Sequence, residues 1–345
     1  PSVPIPRRAA LAAVALGLVA VALAVAARPA PDPRVVVLDV GQGDAILVEG
    51  EHGGRLLVDT GGDPERLLVA LDARSAPWDR RLDAVLVTHP HEDHLGALPV
   101  LLSRYRIGAV LGTGRSGTGP GAAALPAALA AAGLELRELR LGDRLRVDGV
   151  ELVAIWPPAA RVADPGEDGR TVNDGSVVLL GSANGRRFLL LGDAEDDVDP
   201  SLVAAGLPRL DLLKVAHHGS RTATSAALLA ATRPAVAAIS VGAWNDYGHP
   251  SPATVDRLAA VGARVLRTDR HGTIEVTLAP DRLLVRVERT DPPVPSGRWP
   301  SPDASPQRDS SSRSSPRAGS SPTPARSRRS RAGSRSGRTR PGRTG

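Results

Sequence analysis

The chain contains no cysteine and no methionine. Without a thiol, disulfides, thiolate zinc sites and cysteine nucleophiles are all excluded, and any metal must rest on His, Asp or Glu. Nothing about redox compartment follows. Lacking methionine and beginning at Pro1, the chain reads as a piece of a longer one. Aromatic residues make up 2% of the sequence, with a single Phe, and Lys214 is the one lysine among 43 basic side chains. The skew toward Ala, Gly and Arg reads as coding bias, so no weight rests on Arg as such. What remains suffices for a core, since 42% of 345 residues are hydrophobic, enough for one large domain or two ordinary ones.

One apolar run stands apart, Ala9 to Ala27, which as a helix would extend roughly 28 Å at about 1.5 Å per residue. Arg7 and Arg8 precede it and Arg28 and Arg34 follow it, so charge barely chooses an orientation. It reads as a transmembrane helix or as a secretory signal whose Ala24-Val25-Ala26 imitates a cleavage site. At the other end, Ser301 to Gly345 carries eleven arginines against Asp303 and Asp309, so the net charge of +6 conceals a mildly acidic remainder. From Pro292 onward Ser, Pro, Arg and Gly dominate, and such a segment cannot bury enough apolar surface to offset the entropy of ordering it. It reads as a solvated tail or as a cationic arm for nucleic acid. The expected layout is a hydrophobic segment over 1–28, a globular domain over 29–291 and a disordered basic tail over 292–345.

Within the globular part, short apolar strands alternate with amphipathic helices. Strands are predicted at Val35–Val40, Ala45–Val48, Leu56–Asp59, Ala84–Thr88, Phe188–Leu191, Leu210–Val215, Ile274–Leu278 and Leu283–Val287, and helices at Glu65–Ala73, Leu95–Leu102, Ala122–Ala132 and Pro252–Ala260, among others. Hairpin-like runs at both ends with strand–helix alternation between them suit an α/β fold of two sheets packed face to face and covered by helices.

The densest chemical signal is Thr88-His89-Pro90-His91-Glu92-Asp93-His94-Leu95-Gly96, directly after an apolar strand. A lone His in a loop is usually a polar surface residue, but H-x-H-x-D-H at a strand end can aim alternate side chains at two neighbouring points. Neutral imidazoles and a carboxylate suit zinc, manganese or iron. This motif resembles the signature of the metallo-β-lactamase superfamily, which implies a four-layer αββα sandwich and two divalent metal ions, Zn or Mn. On that resemblance His89 and His91 hold one metal, Asp93, His94 and a later His hold the other, and Asp193, in Leu191-Gly192-Asp193, bridges them. The later His is one of His217 and His218, with His217 slightly favoured as ligand and His218 as the group acting on phosphate.

Further segments resemble the hydrolase domain of the ComEC family in order and spacing: Asp39-Val40-Gly41-Gln42-Gly43-Asp44, Asn173-Asp174-Gly175-Ser176, His217-His218-Gly219-Ser220, His249-Pro250-Ser251-Pro252 and Asp269-Arg270-His271-Gly272. The likeness runs from about Val35 to Val287. It departs from the wider superfamily in having no His between His94 and Asp193, where Asn173 or water would complete the first metal's shell. The resemblance implies a dinuclear phosphodiesterase that cuts DNA during natural competence, extracytoplasmic, with the DNA channel in missing sequence or a separate subunit; the N-terminal apolar segment would place it at the cell membrane. Asp93, His218 and His249 are its catalytic candidates; Asp39, Asp44, Asn173 and His271 are candidates for substrate or supporting contacts, against the alternative that they only shape turns. Lys214 reads as a strand-edge charge and His52 as an exposed hairpin residue. An envelope-polymer or small-molecule phosphoesterase is the alternative enzyme, and a membrane-anchored DNA-binding module without catalysis is the alternative of another class.

Overall fold

Runs such as Val35-Val36-Val37 and Leu212-Leu213 are buried on both faces, the pattern of strands covered on two sides rather than one. The computed structural model, which describes residues 7–26, 31–76, 78–163 and 169–290, arranges them in two large sheets. From edge to edge, the eight-stranded sheet runs Leu283–Val287, Ile274–Leu278, Arg34–Val37, Ile46–Glu49, Arg55–Val58, Ala84–Leu86, Val110–Gly112 and Leu136–Glu138. Its first five strands are mutually antiparallel, and from Arg55–Val58 onward the pairing is parallel. The seven-stranded sheet runs Arg264–Arg267, Val236–Ile239, Leu212–Lys214, Arg186–Leu190, Val178–Ala183, Val150–Trp156 and Arg144–Val147. It is parallel through Arg186–Leu190 and antiparallel beyond it. Each sheet therefore joins a meander to a parallel half.

Three apolar layers hold this stack together. Val35, Val37, Leu56, Leu152, Phe188 and Leu212 pack between the sheets. On the outer face of the first sheet, Val36, Leu57 and Val85 meet Leu67, Leu71, Leu98 and Leu101 from helices Pro64–Asp72 and Leu98–Arg104. On the outer face of the second, Leu189, Leu213 and Ala237 meet Leu202, Leu228 and Leu258 from helices Asp199–Ala204, Ala226–Thr232 and Pro252–Ala260. The expected αββα order is thus present.

Several elements differ from expectation. The helix expected over Leu95–Leu102 is two, Glu92–Leu95 and Leu98–Arg104, because Gly96-Ala97 turns the chain and Pro99 restarts it in a first turn where a missing N–H is harmless. Strands Val110–Gly112, Leu136–Glu138 and Val150–Trp156 extend the sheets where short or mixed patterns gave little alternation to read. Arg7–Ala26 forms a helix of 20 residues. Among the described residues, however, no helix is long and apolar enough to cross a membrane, and the expected transmembrane span gains no support from this alanine-rich run. The tail expected to be disordered, 292–345, lies outside the described residues.

A close approach explains one glycine in mid-strand. Gly181 pairs across the sheet with Phe188, whose ring lies over it so that a Cβ there would fall 2.1 Å from Cζ. Gly181→Ala is expected to destabilise the domain by about 1–3 kcal/mol through overpacking. Added to Phe188→Leu, it should cost clearly less than it does alone. Chemical denaturation of the four-member cycle measures this, and equal costs in the two backgrounds would refute it.

Candidate metal centre

The side chains that carry the chemistry leave the ends of strands in both sheets. The loop after Ala84–Leu86 carries His89, His91, Asp93 and His94; the turn after Arg186–Leu190 carries Asp193; the segment after Leu212–Lys214 carries His217 and His218. His89, His94, His217 and His218 converge on Asp193, which is 2% exposed. Its Oδ2 lies 3.2 Å from His94 Nε2, 3.5 Å from His218 Nε2, 3.8 Å from His217 Nε2 and 3.9 Å from His89 Nε2.

Each imidazole is aimed by what holds its other nitrogen. Asp59, fully buried at the end of Arg55–Val58, accepts from the Thr88 backbone N–H at 2.7 Å and the Thr88 hydroxyl at 2.8 Å, and lies 2.8 Å from His94 Nδ1. A carboxylate on Nδ1 leaves His94 Nε2 facing the centre, where it is buried without a well-formed hydrogen bond. His218 Nδ1 sits 3.0 Å from the Ser240 carbonyl and 3.3 Å from Asp44, while its Nε2 lies 3.1 Å from Asp93 Oδ2. Glu195 holds His217 Nδ1 at 2.7 Å. His89 Nε2 lies 3.0 Å from His91 Nδ1. Donor atoms of Asp93, His94, Asp193 and His218 lie within 4.8 Å of one another. His94 Nε2 and Asp193 Oδ1 are buried and unbonded within that group. Nitrogen and carboxylate donors converging in this way, unsatisfied by the protein, fit a divalent cation.

Two backbone features make the convergence possible. His217 and His218 both adopt left-handed conformations, φ 46° and 51°. In an extended strand successive side chains diverge to opposite faces, whereas here both Nε2 atoms turn toward Asp193. Strain of this kind, of order 1–3 kcal/mol per residue, persists where surrounding contacts over-determine it. Gly43, at φ 122°, lies so near the metal loop that a Cβ would fall 2.2 Å from the Asp93 carbonyl.

The electrostatics follow from burial and proximity. Burial, with His94 and His91 nearby, holds the His89 imidazole well below its ordinary pKa. Burial alone would lower His94 too, yet Asp193, Asp59 and Asp93 push it well above its usual value. For His218 burial is likewise outweighed, by Asp193, Asp44 and Asp93, and its pKa is pushed up to about 10. Behind His218, Lys214 Nζ lies 2.6 Å from Asp44 Oδ2, both fully buried. Burial works against the charge of Asp44, but Lys214 and His218 keep its carboxyl below the ordinary range.

A profile of the metallo-beta-lactamase superfamily matches residues 38–243. The chain belongs to this superfamily. It is similar to ComE operon protein 3 of Bacillus subtilis, 29% identical over 266 residues, covering 70% of this chain and 32% of that protein. It also resembles Recombination protein 2 of Haemophilus influenzae, 29% identical over 264 residues, covering 75% and 31%, and Competence protein ComA of Neisseria gonorrhoeae, 30% identical over 246 residues, covering 71% and 32%. The chain thus spans about a third of the length of these curated relatives. Superfamily membership and the donor cluster together make this a metal-binding domain.

The geometry sorts the predicted site residues. His89, His91, Asp93, His94 and Asp193 come together. Of the histidine pair, His218 belongs to the close donor group and is 2% exposed in its side chain, aimed inward by the Ser240 carbonyl and Asp44, whereas His217, the slightly favoured ligand candidate, stands further out at 24%. Asp44 supports His218, and Asn173 Nδ2 lies 3.5 Å from His217 Nδ1. His249 stands 5.4 Å, ring to ring, from His217. Asp39 does not reach the cleft: its carboxylate accepts from Gly41 N–H and pairs with Arg289 at 2.9 Å. His271 also lies apart, its Nδ1 2.9 Å from the backbone N and O of Arg267. Lys214 is no edge charge but a buried cation in a central strand. Sequence reasoning passed over Asp59 and Glu195; an acidic residue ending an apolar run, in Leu56-Leu57-Val58-Asp59-Thr60-Gly61, was the available sign. His52 is exposed on its turn, 3.0 Å from Asp148.

Asp59→Asn, which keeps the shape but not the charge behind His94, is expected to weaken divalent-metal affinity about 10- to 100-fold; unchanged affinity in a metal-competition titration would dismiss this role. Proton linkage gives a second expectation. A His pKa raised above its unfolded value stabilises the metal-free fold below that unfolded value, and the contribution fades as pH climbs toward about 10 for His218. Ligation requires the neutral ring, so metal loading expels protons and apparent affinity rises over the same interval. Calorimetric titration at pH 8 in buffers of different ionisation enthalpy should give different heats, and identical heats would contradict this.

Proposed function

We propose that this domain is a dinuclear metal-dependent phosphodiesterase that hydrolyses DNA in the service of DNA uptake. The observation that carries the reading is the sharing of Asp193: its Oδ2 stands within 3.9 Å of His89, His94 and His218 Nε2 alike, while its Oδ1 is buried and unbonded, so that this one carboxylate would be available to more than one cation. Above it opens a cleft of about 540 Å³ that Gln42, Arg170, Tyr247 and His249 also line. Superfamily membership supports a metal-dependent hydrolase, and one of the relatives named above, Competence protein ComA, is a competence protein by its printed name.

Two divalent ions at this point would supply a water activated near neutral pH and would screen charge on a phosphoryl oxygen. The remaining work falls to side chains. Asp93, kept ionised by His94 and His218 despite its burial, orients the attacking water. His217 and His249 face the substrate side with opposite protonation. Burial would deprotonate His217, but Glu195 and Asp193 raise its pKa, so it has a proton to give to the leaving oxygen. Burial and the neighbouring His217 and His218 lower His249 to about 4, which keeps it neutral and accepting. Two neighbouring imidazoles driven apart in this way divide acid from acceptor. The proposal places the domain outside the cytoplasm, with a DNA channel supplied by a separate segment or subunit.

The test is metal-dependent hydrolysis of single-stranded DNA, duplex DNA, RNA and bis-p-nitrophenyl phosphate. Cleavage of the small diester without any nucleic acid would favour a small-molecule phosphoesterase instead. Asp193→Ala and His218→Ala should each lose bound metal by elemental analysis. His217→Ala should keep its metal yet lose roughly a hundredfold in turnover, as expected for a positioned proton donor. Glu195→Gln removes the group that raises the His217 pKa, so the alkaline limb of its rate profile should move to lower pH. Full turnover in His217→Ala would remove it from the chemistry.

A further inference from the structure

In a chain this poor in aromatics, the placement of two of them carries information. Trp244 is 98% exposed and Tyr247 71% exposed, a costly presentation of apolar surface to water. Both lie on the segment between Val236–Ile239 and Pro252–Ala260. That segment is braced: Asn245 donates to the carbonyls of Gly242 and His249 at 2.9 and 2.8 Å and accepts from the His249 N–H at 2.9 Å. The Tyr247 ring is stacked on His249, with centroids 5.9 Å apart and planes 17° from parallel. Tyr247 and His249 line the cleft itself. Gln42 lines the cleft too, and it also lines an adjoining groove of about 280 Å³ with Trp244 and Arg66. Gln42 accepts from the Gly242 N–H at 3.2 Å, fixing the two together.

We infer that Tyr247 and Trp244 form a base-stacking lip that holds unpaired nucleobases beside the scissile phosphodiester, with the strand leaving over Gln42 toward Arg66. This deepens the phosphodiesterase reading and rests on it. A metal centre reads phosphate and is blind to the base, so a preference for nucleic acid over other diesters has to come from groups around it. Flat exposed rings supply that preference because every base has a π-face, and they favour single strands because paired bases are already stacked. A guanidinium in the groove suits the next phosphate along the chain. Trp78, the other strongly exposed aromatic among the described residues, lines neither the cleft nor the groove.

The experiment uses the whole metal-loaded chain with two probes, a short oligothymidylate and the same backbone with abasic residues throughout. Hydrolysis of the base-bearing strand should exceed that of the abasic one by about fivefold to a hundredfold in kcat/KM, the size expected for one or two stacked bases. Tyr247→Leu and Trp244→Leu should each bring this ratio down toward one at unaltered metal content, and Tyr247→Phe should retain it. Binding is read separately: oligothymidylate should quench tryptophan emission more than the abasic strand does, and Trp244→Leu should lose that difference. Hydrolysis of both strands at equal rate, or ratios unmoved by the Leu variants, would overturn the lip while leaving the phosphodiesterase intact. Were the wild type to cleave neither strand, the phosphodiesterase reading would fall, and the quenching difference, present or absent, would decide the lip alone.

Discussion

Everything in the centre depends on one buried carboxylate surrounded by imidazoles. Four ring nitrogens stand within 3.9 Å of Asp193 Oδ2, and they come from two different sheets. Burying an anion this deeply is unfavourable unless partners compensate it, and here the compensation arrives only when both halves of the sandwich are in register. The apolar layer between the sheets sets that register. The layered fold and the charge cluster are thus mutually dependent: packing brings the groups together, and the groups define which alignment of the sheets leaves no anion unpaired.

Behind the inner ring stands a second set of pairs, Asp59 with His94 and Asp44 with Lys214 and His218, all with buried side chains. Their work is directional. An imidazole presents two nitrogens, and fixing one with a carboxylate or carbonyl commits the other. Asp59 also accepts twice from Thr88, so the residue that aims His94 simultaneously anchors the start of the metal loop. Asp59 directly follows Arg55–Val58 and Lys214 closes Leu212–Lys214, which keeps these two groups on rigid elements, while Asp44 lies in the loop that enters Ile46–Glu49.

How legible this was in the sequence depended on range. His89, His91, Asp93 and His94 were visible because their ligand spacing is local, and the layered α/β class was visible because strand and helix periods alternate along the chain. Asp59 was not, because its partner His94 lies 35 residues away and nothing local distinguishes a turn aspartate from a buried one. The slight preference for His217 over His218 had no local signal behind it for the same reason: what sets His218 apart is the Ser240 carbonyl, 22 residues on, and the left-handed backbone that the two share is announced by no alternation pattern. Asp39 and His271 failed in the opposite direction, since residues suited to a site served instead to tie Arg289 and Arg267 into the fold.

Lys214 shows how a composition bias can carry structural information. Every other basic side chain in the chain is arginine or histidine, so this position stands apart from the bias toward arginine. The structure supplies a reason: the ammonium sits in a fully buried strand, 2.6 Å from Asp44 and donating to the Val215 carbonyl at 2.8 Å. A guanidinium is larger, planar and spreads five donors in a fixed fork, whereas a compact ammonium with three donors can be satisfied by two oxygens in a confined place. Retained charge is therefore not enough at this site, and size and donor geometry decide. Because Asp44 in turn contacts His218, an arginine forced into the space would be felt in the orientation of a metal-facing imidazole rather than only in the strand that carries it.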